Sequence, residues 1–228
     1  MATWGLAFEI AYGEAWLLES AVPFFIPLTF LAMSDEEIGL QFNHPSHHMT
    51  RDELLRTLSS LFIRGELVGK QEALGEHVPT AEQVDKALVP PVRRPNGGVA
   101  WGRGTDAPLC YGLSQAGAAR WERMAEPDWE RYFEDMWPEE NTCEVVAGSQ
   151  HRLDEVLRST RELWDIEPVG NGIEQDVLTP WEATYWKTLP AGYRARFHHQ
   201  YTRYRGRGSA PEYRRLRRWC RSIWYPPD

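Results

Sequence analysis

One helix in this chain of 228 residues is written with both of its ends. Thr50 and Glu53 have the spacing of a capping box, in which the threonine hydroxyl accepts from a first-turn amide and the carboxylate reaches back to the cap amide. Leu54, Leu55, Leu58, Leu61 and Phe62 then share one face at helical spacing, and Gly65 follows as a stop. Glu66-Leu-Val-Gly-Lys behind it reads as a short strand. A helix with such an apolar face needs a core to pack on. At 42% hydrophobic residues with 11 tryptophans, the chain supplies one, so disorder is excluded.

Other elements follow from similar patterns. Phe8, Ala11, Tyr12, Ala15 and Trp16 predict an amphipathic helix over 7–19, and a second is expected between Pro23 and Met33. Ser34 and Glu37 form another capping box, opening a short helix to about Phe42. A short helix is expected after Pro79, then turn and loop material through Pro90-Pro-Val-Arg-Arg-Pro-Asn-Gly-Gly. Leu109-Cys-Tyr-Gly-Leu reads as a strand, and Ser114 caps a helix carrying Ala118, Trp121 and Met124. Trp129, Phe133 and Trp137, at steps of four, predict a helix from Asp128. A strand over 143–148 and an amphipathic helix through Leu153, Val156, Leu157, Thr160, Leu163 and Trp164 come next. Thr179-Pro-Trp-Glu has the form of a helix start. Residues 193–201 fit a helix at steps of four and a strand at steps of two, and periodicity does not separate the two. Ser209 and Pro211 open an expected last helix with Tyr213, Leu216, Cys220 and Ile223 on its apolar face.

The run Leu58-Ser-Ser-Leu-Phe-Ile-Arg-Gly-Glu-Leu-Val, followed by Cys110-Tyr-Gly-Leu-Ser-Gln-Ala-Gly-Ala-Ala-Arg-Trp, resembles the winged-helix family over about residues 23–125. In that family the third helix ends in a glycine turn, two strands form a wing, and Tyr-x-Leu-Thr-x-x-Gly opens the next helix. Here Ser114 stands for the threonine, Gly117 keeps the glycine, and the loop between the wing strands is long. The resemblance implies DNA binding through the third helix, with Arg51, Arg56 and Arg64 as its cations. Against this, residues 34–125 carry ten bases and 12 acids, which is poor equipment for a polyphosphate.

Charge is distributed unevenly. The net charge of −8 combines +8 over residues 191–228, which hold ten arginines, with −16 over the first 190. Residues 126–190 alone carry −11. In the tail, Arg203, Arg205, Arg207, Arg214, Arg215 and Arg218 are interleaved with aromatic residues, a pattern suited to clamping phosphates and stacking on bases. The plainer reading is that the tail packs on the chain's own acidic block. Within that block, Glu126, Asp128, Trp129, Glu130, Tyr132, Phe133, Glu134, Asp135 and Trp137 combine acids with aromatic anchors, a composition suited to a protein interface or to a basic partner.

Catalytic signatures are missing. There is no phosphate loop, nucleophile elbow, zinc-protease helix or dinucleotide fingerprint. Cys110, Cys143 and Cys220 are too widely spaced for a paired zinc motif, and they suggest reduced thiols. His44, His47 and His48 sit on one turn from which three imidazoles do not readily converge, and His198-His199 adds nothing to them. The longest apolar stretch, Ser20–Met33, is too short to span a membrane, and with no base before Arg51 no secretory signal is expected. The expectation is an α+β fold, mainly helical, with a winged-helix-like domain over 1–137 and a smaller helix-rich part over 138–228 that ends in the arginine-rich helix. The expected function is that of a non-catalytic, bacterial-type cytoplasmic interaction or regulatory protein with a protein partner and no cofactor or metal. The alternatives are a DNA-binding regulator and an immunity or antitoxin protein that masks a toxin.

Overall fold

In the computed structural model, residues 11–42, 45–93, 99–100, 108–139, 141–164, 166–170, 172–201 and 218–222 are described. They form a mixed α+β fold in two compact units, Met1–Ala125 and Glu126–Asp228.

The first unit runs α1 (Tyr12–Ser20), β1 (Ile26–Pro27), α2 (Leu28–Leu31), α3 (Asp35–Phe42), α4 (Arg51–Ile63), β2 (Leu67–Gln71), β3 (Gly75–His77), α5 (Ala81–Ala87), β4 (Val92–Arg93), β5 (Val99–Ala100), β6 (Cys110–Leu113) and α6 (Gln115–Ala125). Its main sheet has the order β1-β6-β2-β3, all antiparallel. The capping boxes of α3 and α4 form as expected, with the Glu37 and Glu53 carboxylates reaching back to the Ser34 and Thr50 amides. A third box, Thr80 with Gln83, opens α5. Leu54, Leu58, Leu61 and Phe62 bury the face of α4, and Trp16, Tyr111 and Trp121 are buried in the same unit. Gly65 ends the helix at φ +68°, a conformation that favours glycine.

The helix expected over 23–33 is instead β1 followed by the single turn of α2. Pro27 disfavours a helical Ile26, which stays extended and pairs with Tyr111. Gly117 answers to packing: a Cβ there would lie 1.8 Å from the Glu66 carbonyl oxygen. The Ser114 amide donates to that oxygen at 3.1 Å, and the Ser114 hydroxyl accepts from the Gly117 amide at 3.1 Å. The Ser-x-x-Gly spacing therefore serves both to cap α6 and to bring it against β2.

The second unit runs β7 (Phe133–Glu139), β8 (Thr142–Ala147), α7 (Gln150–Trp164), β9 (Ile166–Pro168), β10 (Glu174–Leu178), β11 (Trp181–Thr184), β12 (Lys187–Leu189) and β13 (Gly192–Tyr201). The sheet order is β10-β13-β8-β7, with β9 on the far half of β13, and β11-β12 is a separate hairpin. Helix α7 covers one face through Leu153, Val156 and Leu157, packed on Phe133, Cys143, Val145, Ala147, Ala195 and Phe197.

Two expected helices are strands here, the stretch left open over 193–201 is decided, and the expected last helix differs in part. Residues 133–139 are a strand, because steps of four also satisfy a period of two, and pairing with the apolar strand β8 decides between them. That hairpin carries the chain straight across position 137, where the sequence placed its division. Thr179–Pro180 is a cis peptide, and the chain beyond it is a strand in which buried Trp181 and Ala183 alternate with exposed Glu182. Residues 193–201 are also a strand, with buried Ala195, Phe197 and His199 alternating with exposed Arg196, His198 and Gln200. The expected last helix falls mostly outside the described residues, but 218–222, which include Cys220 of its proposed face, are not helical.

Candidate functional site

The acidic and aromatic segment becomes a shaped surface through backbone restraint. Pro127 precedes a turn in which the Asp128 carboxylate accepts from the Glu130 amide at 3.2 Å, and the Asp128 carbonyl from the Arg131 amide at 3.0 Å. The start of α7 then holds the next carbonyls. Ser149 Oγ donates to the Glu130 carbonyl at 3.0 Å, Arg152 Nε to that of Arg131 at 2.9 Å, and the Gly148 amide to that of Tyr132 at 2.9 Å. Arg152 is buried, and its guanidinium lies 5.1 Å from the Phe133 ring centroid. Gly148 has no room for a Cβ, which would sit 2.0 Å from the Trp129 carbonyl oxygen.

On this frame the rings gather. Trp129 meets Tyr132 at 5.4 Å, Trp186 at 5.6 Å and Trp219 at 5.1 Å, centroid to centroid. Tyr132 meets Trp219 at 4.6 Å and stacks on Trp181 at 5.8 Å. Lys187 Nζ sits 5.0 Å from the Trp129 centroid, a cation–π geometry. The β11-β12 hairpin brings Trp181, Trp186 and Lys187, and its close fit requires Gly192, where a Cβ would lie 2.5 Å from the Trp181 ring. Glu126, Asp128 and Glu130 are exposed around the cluster.

The nine residues expected to form one surface divide. Trp129, Tyr132 and Glu134 lie at the ring cluster, with Tyr132 Oη donating to Glu134 Oε1 at 3.1 Å, while Glu126, Asp128 and Glu130 are exposed on the flanking backbone. Phe133 points to the opposite face, into the α7 core, and Asp135 shares that face. Trp137 stands farther along, 5.2 Å from the His199 ring. Trp181, Trp186, Lys187 and Trp219 were not expected at the site. They join it from 50 to 90 positions away, and the high tryptophan count was the one sequence signal for them.

Among the described residues, Arg51 and Arg64 of the arginines proposed for nucleic acid are engaged with carboxylates. Arg51 pairs with the Asp85 carboxylate at 2.6 Å and donates to its carbonyl at 2.9 Å. Arg64 reaches Glu14 at 2.9 Å and Glu66 at 3.0 Å, and Arg120 bridges the same two glutamates. Burial opposes ionisation of Glu14, yet hydrogen bonds from Arg120 and Arg64 outweigh it and hold its carboxyl below the usual range. Arg56 is exposed, with Nε donating to the Asp52 carbonyl at 3.2 Å. Arg218 is half-buried in the returning tail. Arg203, Arg205, Arg207, Arg214 and Arg215 lie outside the described residues.

The remaining titratable groups are built into the fold. His47 is buried: Nε2 donates to the Leu31 carbonyl at 3.0 Å, and Nδ1 accepts from the Met49 amide at 2.9 Å, which identifies the neutral tautomer. Burial lowers its pKa. His48 lies 3.2 Å from Asp35, and His44 is outside the described residues. Burial raises the Cys110 thiol and, with Asp135 and Glu144 nearby, pushes Cys143 up to about 12, so both stay protonated at neutral pH. Among the described residues no three His, Cys, Asp or Glu side chains are grouped to hold a metal, and no helix is long and apolar enough to cross a membrane. Two open grooves of the second unit, about 620 and 480 Å³, are lined by charged and apolar side chains without a hydroxyl or thiol among the described residues.

No protein-family model matches the chain, and no significant match was found among curated proteins or solved structures.

Proposed function

We propose that the chain is a non-catalytic, cytoplasmic interaction or regulatory protein that binds a macromolecular partner through the acidic and aromatic surface of its second unit. The observation that carries this reading is the restraint on residues 128–132. Three successive carbonyls are held from the start of α7, so rings and carboxylates are presented on a fixed backbone. Interfaces of this kind take affinity from aromatic anchors and selectivity from the charged rim.

The first unit supports a winged-helix-like reading over 23–125 by its strand order. Three helices lie between β1 and β2, and β6 pairs with both strands. The DNA-binding alternative draws on that order and on the exposed Arg56, while Arg51 and Arg64 are engaged with Asp85, Glu14 and Glu66.

Co-purification from the native host with nuclease treatment tests the proposal. A partner that survives nuclease and is lost on Glu126→Arg with Glu130→Arg is the expected result. Nuclease-sensitive association lost on Arg56→Ala favours the DNA reading instead. Turnover of a small molecule by the isolated protein overturns the non-catalytic assignment.

A further inference from the structure

The acidic and aromatic surface carries an occupant from the chain itself. Residues 218–222 are neither helix nor strand, and a ring, a carbonyl and an ion pair attach them to this surface. The Trp219 ring packs on Trp129 and Tyr132 at 5.1 and 4.6 Å. The Trp219 carbonyl accepts from the Asp128 amide at 2.7 Å. Two residues on, Arg221 Nη2 reaches Glu126 Oε2 at 2.9 Å.

Glu126 itself has φ +44°, a left-handed conformation that is costly for a side chain with a Cβ and that glycine adopts freely. A carboxylate kept at such a position, facing an arginine, points to a role for that side chain. The receiving backbone is held independently by Ser149, Arg152 and Gly148.

We propose that this surface is the docking site for a protein segment carrying an aromatic side chain followed two residues later by an arginine, and that Trp219-Cys220-Arg221 occupies it in cis as a competitor. The inference rests on the interaction reading above and names the chemistry of the partner. The ring supplies the affinity, as a desolvated aromatic anchor does. The ion pair, with Arg221 63% and Glu126 56% exposed, contributes little energy and sets direction and selectivity. A tethered segment works at a high local concentration, so a partner segment meets a site that is open only part of the time.

The test uses the full chain and a synthetic peptide of residues 216–223 with serine replacing Cys220. The expected result is binding to the Trp219→Ala variant at least tenfold tighter than to the wild type. That binding is lost when alanine replaces the peptide's tryptophan, and it is weakened by Glu126→Gly in the receiving chain. Equal binding to wild type and Trp219→Ala, or no binding to a Trp219→Ala chain with native circular dichroism, overturns the proposal. If Trp219→Ala does not fold, Trp219→Leu keeps an apolar side chain in the seat without the ring and is compared with wild type in the same assay. Tighter peptide binding than wild type then supports the proposal, and unchanged binding overturns it. Partner capture that is abolished by Glu126→Arg with Glu130→Arg but not competed by the peptide removes this inference and leaves the proposed function standing. Capture that survives the charge reversal removes the proposed function, while the peptide result still decides the docking site.

Discussion

The two units put their charged side chains to opposite uses. In the first, Glu14, Arg64, Glu66 and Arg120 join α1, the turn between α4 and β2, and α6, with Arg120 and both glutamates largely withdrawn from water. In the second, Glu126, Asp128 and Glu130 stay at the surface while rings and carbonyl contacts fix the backbone beneath them. Charge turned inward joins elements, and charge turned outward on a fixed frame is left to meet something else. Counting arginines along a chain therefore says little about phosphate binding until their partners are known.

The largest expected effects come from removing the space each arrangement needs. Gly117→Ala drives a methyl group into the Glu66 carbonyl and is expected to cost about 3 kcal/mol, read as a lower urea midpoint for the first unit. Gly148→Ala does the same against the Trp129 carbonyl in the second unit and is expected to release the 128–132 turn as well.

Next in size is the ionic cluster. Arg120→Ala leaves Glu14 and Glu66 sharing Arg64, which is 38% exposed, and after allowance for solvent screening the expected loss is about 2 kcal/mol. Because Glu14 is held below its ordinary value of 4.5, its contribution is present above that pH and fades as pH falls through the lower folded value. The variant is expected to show a shallower acid dependence of urea stability below about pH 4.5.

Two buried histidines give a matched test. His47 has both nitrogens bonded, whereas neither ring nitrogen of His199 has a hydrogen-bond partner among the described residues, and Trp137, Phe197 and Tyr201 surround it. His47→Phe strands the Leu31 carbonyl and the Met49 amide and is expected to cost about 2 kcal/mol, while His199→Phe changes stability by less than about 1 kcal/mol. Burial lowers both pKa values, with His198 adding to the effect at His199. The unfolded chain therefore takes up protons first, and stability falls as pH drops below about 6.5. Hydrogen exchange at Val146 and Leu58 reports the units separately, and His199→Phe is expected to flatten that slope at Val146 alone.

The smallest effect carries an opposite sign. Glu126→Gly relieves the left-handed backbone and is expected to raise stability by about 0.5 kcal/mol, seen as a modest rise in Tm, while it weakens the seat of Arg221.

The same contrast explains what was legible beforehand. The helices of the first unit announce themselves locally, by Ser34 with Glu37, Thr50 with Glu53, and the Gly65 stop. Phe133 and Trp137 carry no such marker: a spacing of four fits a helix turn and two strand repeats equally, and only β8, farther along the chain, resolves it. Tyr193, Phe197 and Tyr201 posed the same ambiguity. The candidate site was half legible for a related reason. Glu126 to Trp129 form one contiguous run, but Trp181, Trp186 and Trp219 are joined to it by folding alone.

Strand β13 pairs with β8, β9 and β10, so the second sheet is completed by the last of the described strands to be made. On a ribosome, β8 emerges with its inner edge unpaired, and more than forty further residues pass before β13 reaches it. The first unit closes once β6 and α6 have emerged. Both sheets therefore hold open strand edges during synthesis, β6 entering late between β1 and β2 as β13 does beside β8, and slow translation between Trp164 and Gly192 is expected to lower the yield of folded chain.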